Sequence, residues 1–124
     1  MPILIVYGIP TETDKETLEI FSELMRQRTA DIEELGIKKE QVSIFFSSDL
    51  MAQELGEEII IFIDGLKEKP ERTEKVKRRL VLNLVDEAHQ SFPKATLVEC
   101  IIRPYVMSGF GKLQSDGDFW GDTR

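Results

Sequence analysis

Two stretches decide the fold: Pro2-Ile3-Leu4-Ile5-Val6-Tyr7-Gly8 and Glu58-Ile59-Ile60-Ile61-Phe62-Ile63-Asp64-Gly65. Each is a short run rich in β-branched residues and closed by glycine, which reads as a strand ending in a turn. The first is apolar without interruption from Ile3 to Tyr7, the pattern of a strand buried on both faces, and this favours a parallel sheet. A helix follows each run. After the first, Thr13-Asp14-Lys15-Glu16 has the form of a capping box, with Thr13 as N-cap. Leu18, Phe21, Leu24, Met25, Arg28, Ile32 and Leu35 then recur at three- and four-residue steps, and Gly36 is placed to stop the helix. After the second run, Thr73 caps a helix with Val76, Leu80, Leu84 and Ala88 on one face, and Pro93 follows its end.

Each helix leads to a further strand, over Gln41 to Ser47 and over Thr96 to Ile102. The order is therefore β-α-β twice, from residues 2–47 and from 58–103. The expected fold class is α/β: tandem β-α-β units forming a four-stranded, mostly parallel or mixed sheet with two helices on one face. A single domain over residues 1–124 is expected. Such an arrangement leaves one apolar sheet face without helices, which implies a homo-oligomer. The tail from Val106 to Arg124 is glycine-rich, carries Phe110, Phe119 and Trp120, and shows no helical period. Its aromatics need a surface to cover, on this chain or on a neighbouring subunit.

With 124 residues, 41% of them hydrophobic, the chain can bury a genuine core. Its formal charge of −7 argues against nucleic-acid binding. The uncharged apolar run Ile59 to Ile63 is far short of the roughly 20 residues of a membrane span. Nothing resembling a signal peptide precedes the first strand, so a cytoplasmic location is expected. One cysteine, Cys100, and one histidine, His89, exclude an intrachain disulfide and argue against a metal cluster of thiolates or imidazoles. Asp116-Gly117-Asp118 lacks the spacing of a calcium loop. No metal and no organic cofactor is expected.

Pro2 is the first candidate for chemistry. Removal of Met1 would turn its nitrogen into a secondary amine, and an unperturbed α-amino group titrates at about 7.7–8.0. Apolar surroundings and nearby cations disfavour the ammonium form, so the neutral amine could act as a general base near pH 7. The same dipeptide is also an ordinary start to a strand.

Met-Pro-Ile at the head of an apolar strand, followed by two β-α-β units, resembles the tautomerase superfamily. That group includes 4-oxalocrotonate tautomerase, macrophage migration inhibitory factor and the chloroacrylic acid dehalogenases. Arg72-Thr73-Glu74-Lys75-Val76-Lys77-Arg78-Arg79-Leu80 is similar to the family's helix opening, and Ser108-Gly109-Phe110-Gly111 to its Gly-x-Phe-Gly segment. In the first half, Asp14-Lys15-Glu16-Thr17-Leu18 fits the same opening, with Pro10 in place of the arginine.

The resemblance implies an isomerase in which Pro2 moves a proton on a small 2-oxo or enol acid while Arg72 binds the carboxylate. It makes Phe110 a pocket wall, and Lys38, Arg103 and Tyr105 contacts to a small-molecule carboxylate. It also implies a homotrimer with sites between subunits. The family's second arginine is replaced by Glu99 in one half and by Ser43 in the other. The alternatives are addition of water to an unsaturated acid on the same fold, with Glu99 polarising the water, or a non-catalytic oligomeric binding protein.

Overall fold

The computed structural model describes residues 2–47, 58–103, 111–113 and 119–121, with only the backbone of 112–113 and 119–121. Six strands and two helices occur among them: β1 (Ile3–Tyr7), α1 (Lys15–Ala30), β2 (Ser43–Ser47), β3 (Glu58–Asp64), α2 (Glu74–Ser91), β4 (Leu97–Ile102), β5 (Gly111–Leu113) and β6 (Phe119–Gly121). The main sheet has the order β2-β1-β3-β4. β1 runs parallel to β2 and β3 parallel to β4, while β1 and β3 at the centre are antiparallel. The sheet is thus mixed, with one parallel pair in each β-α-β unit.

Burial alternates along the strands with the period of two that pleating imposes. Leu4 and Val6 of β1 and Ile59, Ile61 and Ile63 of β3 are buried. They meet Phe21 and Met25 of α1 and Leu80 and Leu84 of α2 in one core. The two helices therefore lie on one face. On the other face Tyr7, Phe45, Leu97 and Ile101 stand exposed, Phe45 with 60% of its surface in solvent. The unbroken apolar character of β1 thus does not reflect a sheet sandwiched between helices. One face carries the core, and on the other Ile3 and Ile5 are half-buried.

Two features of the first helix differ from the sequence reading. Asp14, not Thr13, is the N-cap, and its carboxylate accepts from the Thr17 N–H at 2.7 Å. The helix also stops at Ala30, although the apolar spacing continues. Ile32 is extended, Glu33–Leu35 make a 3₁₀ turn, and Gly36 closes that turn with φ of 64°. Ile32 and Leu35 still reach the core, so the periodicity reports burial rather than helix length. Arg28, the one interruption in the apolar face of α1, reaches across to α2. Its guanidinium donates to Asp86 at 3.2 Å and to Glu87 at 3.5 Å, and the Ser91 hydroxyl also donates to buried Glu87.

Thr73 caps α2 as expected, accepting from the Val76 N–H at 3.3 Å. Val76, Leu80, Leu84 and Ala88 are all buried, and His89 is exposed. In the tail, β5 and β6 form a separate antiparallel pair, a hairpin without a helical or strand period in the sequence to announce it. No helix among the described residues is long and apolar enough to cross a membrane.

Gly8 ends β1 at φ of 91° and donates its N–H to the Ser47 carbonyl at 2.9 Å. A Cβ there would stand 1.9 Å from the Glu58 carbonyl oxygen, at the start of β3. Left-handed backbone and this backbone clash act together. Gly8→Ala is expected to lower unfolding stability by about 2–4 kcal/mol, read from denaturant melts, whereas Gly36→Ala, with open space around its Cβ position, should lose less.

Candidate functional site

Strand direction gathers chemically active residues at one end of the sheet. Pro2 precedes β1 and is buried, and its carbonyl accepts from the Ser43 N–H at 3.1 Å, where β2 begins. On the other side of β1, Ile3 pairs with Asp64, the last residue of β3. β4 ends at the same place, because the Arg103 N–H donates to the Ile63 carbonyl at 3.0 Å. Pro2, Ser43, Asp64 and Arg103 therefore occupy one sheet end, on four neighbouring strands. Lys38 precedes β2 at this end as well and is exposed.

Arg103 belongs to the face away from the helices. Its Nε donates to Asp64 Oδ1 at 2.6 Å and its Nη2 to Oδ2 at 2.5 Å, a two-pronged fit of guanidinium to carboxylate. The guanidinium carbon lies 4.2 Å from the centre of the Phe62 ring, which fixes the plane of the fork. Tyr7 meets the same ring edge-on at 5.8 Å. The Asp64 hydrogen bond raises the Arg103 pKa above the ordinary guanidinium value, so this side chain is cationic at every physiological pH.

Arg72 is placed differently. Its side chain is buried, with Nη1 donating to the Lys67 carbonyl at 2.7 Å and Nη2 to the Leu35 carbonyl at 2.8 Å. Lys67 lies in the loop after β3, and Leu35 closes the turn after α1. Arg72 thus ties the second β-α-β unit to the first at their loops. A cation before a helix N-terminus opposes the helix dipole; two backbone carbonyls offset that here.

Tyr105 and Phe110 lie outside the described residues, so the structure brings together only Pro2, Lys38 and Arg103 of the expected set at the sheet end, with Arg72 in the loop following β3. Sequence reading passed over Asp64 and Phe62. Period-two parity carried the signal: residues 60, 62 and 64 share a face with 99, 101 and 103 once β3 and β4 are parallel.

Other groups have structural explanations. Glu99 projects from the helix-free face beside Ile60, midway along the edge strand β4, and is exposed. Cys100 points to the helix side, and burial pushes its thiol up to about 12. Lys39 pairs with Glu23 at 2.5 Å, and this bond raises the lysine pKa and lowers that of the carboxylate. Both line a depression of about 550 Å³ along the outer edge of β2, with Arg26, Val42 and Phe45. Neither Pro2 nor Arg103 lines it.

No family model matches this sequence. No curated protein matches it either. Solved structures do. A wild-type fused 4-OT in an asymmetric trimer superposes with a TM-score of 0.72 at 19% identity, covering 89% of this chain and 91% of that one. Pt0534 inactivated by 2-oxo-3-pentynoate gives 0.68 at 13% identity, covering 94% and 92%. Malonate semialdehyde decarboxylase, described with decarboxylase and hydratase activities, gives 0.68 at 6% identity, covering 91% and 92%. The chain has the 4-oxalocrotonate tautomerase fold.

Burial makes two expectations measurable. Arg72→Ala strands the Leu35 and Lys67 carbonyls and should destabilise the fold by about 2–4 kcal/mol, read as a lowered Tm, whatever its effect on a ligand. The Cys100 thiol should react with a disulfide reagent at pH 8 far more slowly in the native than in the unfolded chain. Because its pKa is raised on folding, ionisation in the unfolded chain draws stability down as pH rises from about 9 toward 12.

Proposed function

We propose that this chain is a tautomerase-superfamily isomerase that moves a proton on a small 2-oxo or enol acid, with the Pro2 amine as base. The observation that carries the reading is the position of Pro2: buried at the head of a central strand, at the sheet end where Asp64 and Arg103 converge. The fold is shared with a protein inactivated by a 2-oxo acid, which supports the substrate class, and with a decarboxylase named for malonate semialdehyde, a small 3-oxo acid.

The chemistry requires Met1 to be removed. The neutral amine then takes the enol O–H proton, the O–H electron pair forms the C=O bond, and the C=C pair receives the proton back from the prolinium at carbon. Burial of Pro2 disfavours the ammonium form and so favours the neutral base that the step needs. A cation must hold the substrate carboxylate meanwhile. The resemblance gives that contact to Arg72, with Lys38, Arg103 and Tyr105 as further contacts and Phe110 as the wall that keeps water out. No metal or organic cofactor enters these steps.

The site would be completed between subunits of a cytoplasmic homotrimer. The exposed Tyr7, Phe45, Leu97 and Ile101 on one sheet face support an assembly that covers them, and the fused 4-OT relatives are trimers.

Ketonisation of phenylenolpyruvate, followed by ultraviolet absorbance, tests the proposal alongside intact mass. Wild type lacking Met1 should exceed the buffer rate, and Pro2→Ala should lose about 10²–10⁴-fold. A base mechanism gains rate as pH rises through the amine pKa; water addition by a protonated amine loses it. Treatment with 2-oxo-3-pentynoate should add one equivalent at Pro2. Retention of Met1, or equal rates in wild type and Pro2→Ala, would overturn the assignment.

A further inference from the structure

The Arg103 guanidinium is already arranged as a carboxylate receptor. Its two donors meet both oxygens of one carboxylate at 2.6 and 2.5 Å, its plane is set by the Phe62 ring, and its side chain is 44% exposed. The carboxylate it holds comes from its own chain. Asp64 sits directly opposite Ile3, one residue from Pro2. By contrast, two arms of Arg72 are engaged by backbone carbonyls in a buried setting, and turning them outward would strand those carbonyls.

We infer that Arg103 is the receptor for the substrate carboxylate, and that Asp64 is an internal stand-in which poses the guanidinium and is displaced when the acid binds. This deepens the proposal above and rests on its carboxylic-acid substrate. The exchange is isosteric and isoelectric: one carboxylate replaces another on the same two N–H donors, and no proton moves. Affinity is then set by competition, since each bound acid must first release Asp64 to water. Asp64 is 28% exposed and ends its strand, so its carboxylate can swing toward solvent without disturbing the ladder. Phe62 retains the guanidinium after Asp64 leaves, so the receptor does not collapse. Asp64 is therefore a specificity-determining residue: a ligand lacking the bidentate carboxylate cannot outcompete it.

The test is direct binding of pyruvate to full-length protein, read from the Nε–H signal of Arg103 in ¹⁵N-labelled samples and assigned by its loss in Arg103→Lys. Methyl pyruvate, which lacks the anionic carboxylate, serves as the control ligand. Pyruvate should shift the Arg103 signal saturably, and methyl pyruvate should not. Asp64→Asn keeps the shape but removes the competing charge, and should bind pyruvate about fivefold more tightly, the equilibrium weight of a good half-exposed ion pair. Arg103→Ala should weaken binding at least about tenfold. Unchanged or weaker binding in Asp64→Asn, equal binding in Arg103→Ala, or equal shifts with the methyl ester would each overturn the inference. Ketonisation measured on the same wild-type sample separates this result from the catalytic reading: saturable pyruvate binding without turnover counts against the isomerase and leaves the Arg103 receptor standing, whereas turnover with the Arg103 signal unmoved overturns the inference alone.

Discussion

The antiparallel pairing of β1 with β3 is the constraint on which the rest of the molecule depends. Each β-α-β unit alone would be a pair of parallel strands with a helix across one face. The ladder from Ile3 opposite Asp64 to Tyr7 opposite Ile60 joins the two units and fixes their relative direction. Because each unit is internally parallel, that one antiparallel step sends the starts of β1 and β2 and the ends of β3 and β4 to a common edge. It also sets parity. Leu4 and Val6 share a face with Ile59, Ile61 and Ile63, so both helices cover one side and a single core forms. A one-residue slip of β3 against β1 would leave Leu4 and Val6 under the helices but turn Ile59, Ile61 and Ile63 to the other face, with Ile60 and Phe62 in their place.

Two arginines, Arg103 at the sheet end and Arg72 in the loop after β3, stand in opposite physical settings. A guanidinium taken out of water must have its N–H groups satisfied, since desolvated donors are expensive. Arg72 meets that requirement with the Leu35 and Lys67 carbonyls, and the geometry makes it a tie between loops. Arg103 keeps access to solvent, so its ion pair with Asp64 is held by geometry more than by burial. The same residue type therefore does different work at two places a few residues from the same strand ends.

The strand limits and the core of α2 could be read from the sequence because they rest on local signals. Ile3–Tyr7 and Glu58–Asp64 are bounded by glycines, and Thr73 and Pro93 bracket a clean apolar face. The first helix was harder. Ile32 and Leu35 continue the spacing of Phe21 and Met25, yet they enter the core from a 3₁₀ turn. A hydrophobic period records which side chains are buried and cannot distinguish one long helix from a helix plus a turn. The antiparallel step was open to either direction, since an apolar run does not reveal which neighbour it will pair with. At the sheet end, the places of Pro2, Lys38 and Arg103 were legible because each borders a strand whose run the sequence marks. The contacts of Asp64 and Phe62 with Arg103 were not legible, because they depend on the register between β3 and β4, a non-local property.

Glu99 shows how register restricts chemistry. It stands beside Ile60, which in turn lies opposite Tyr7, five residues up β1 from Pro2. At the rise of an extended strand that separation is about 17 Å along the sheet. Its carboxylate therefore cannot polarise a water at Pro2 of the same chain, and a water-adding mechanism that uses it must draw it from a neighbouring subunit. Arg103, four residues further along β4, is about 13 Å closer to the Pro2 end. A negative charge on an apolar face is costly to bury unless a cation meets it. Any assembly that covers Tyr7, Phe45, Leu97 and Ile101 must bring such a partner to Glu99 or leave a water-filled channel there.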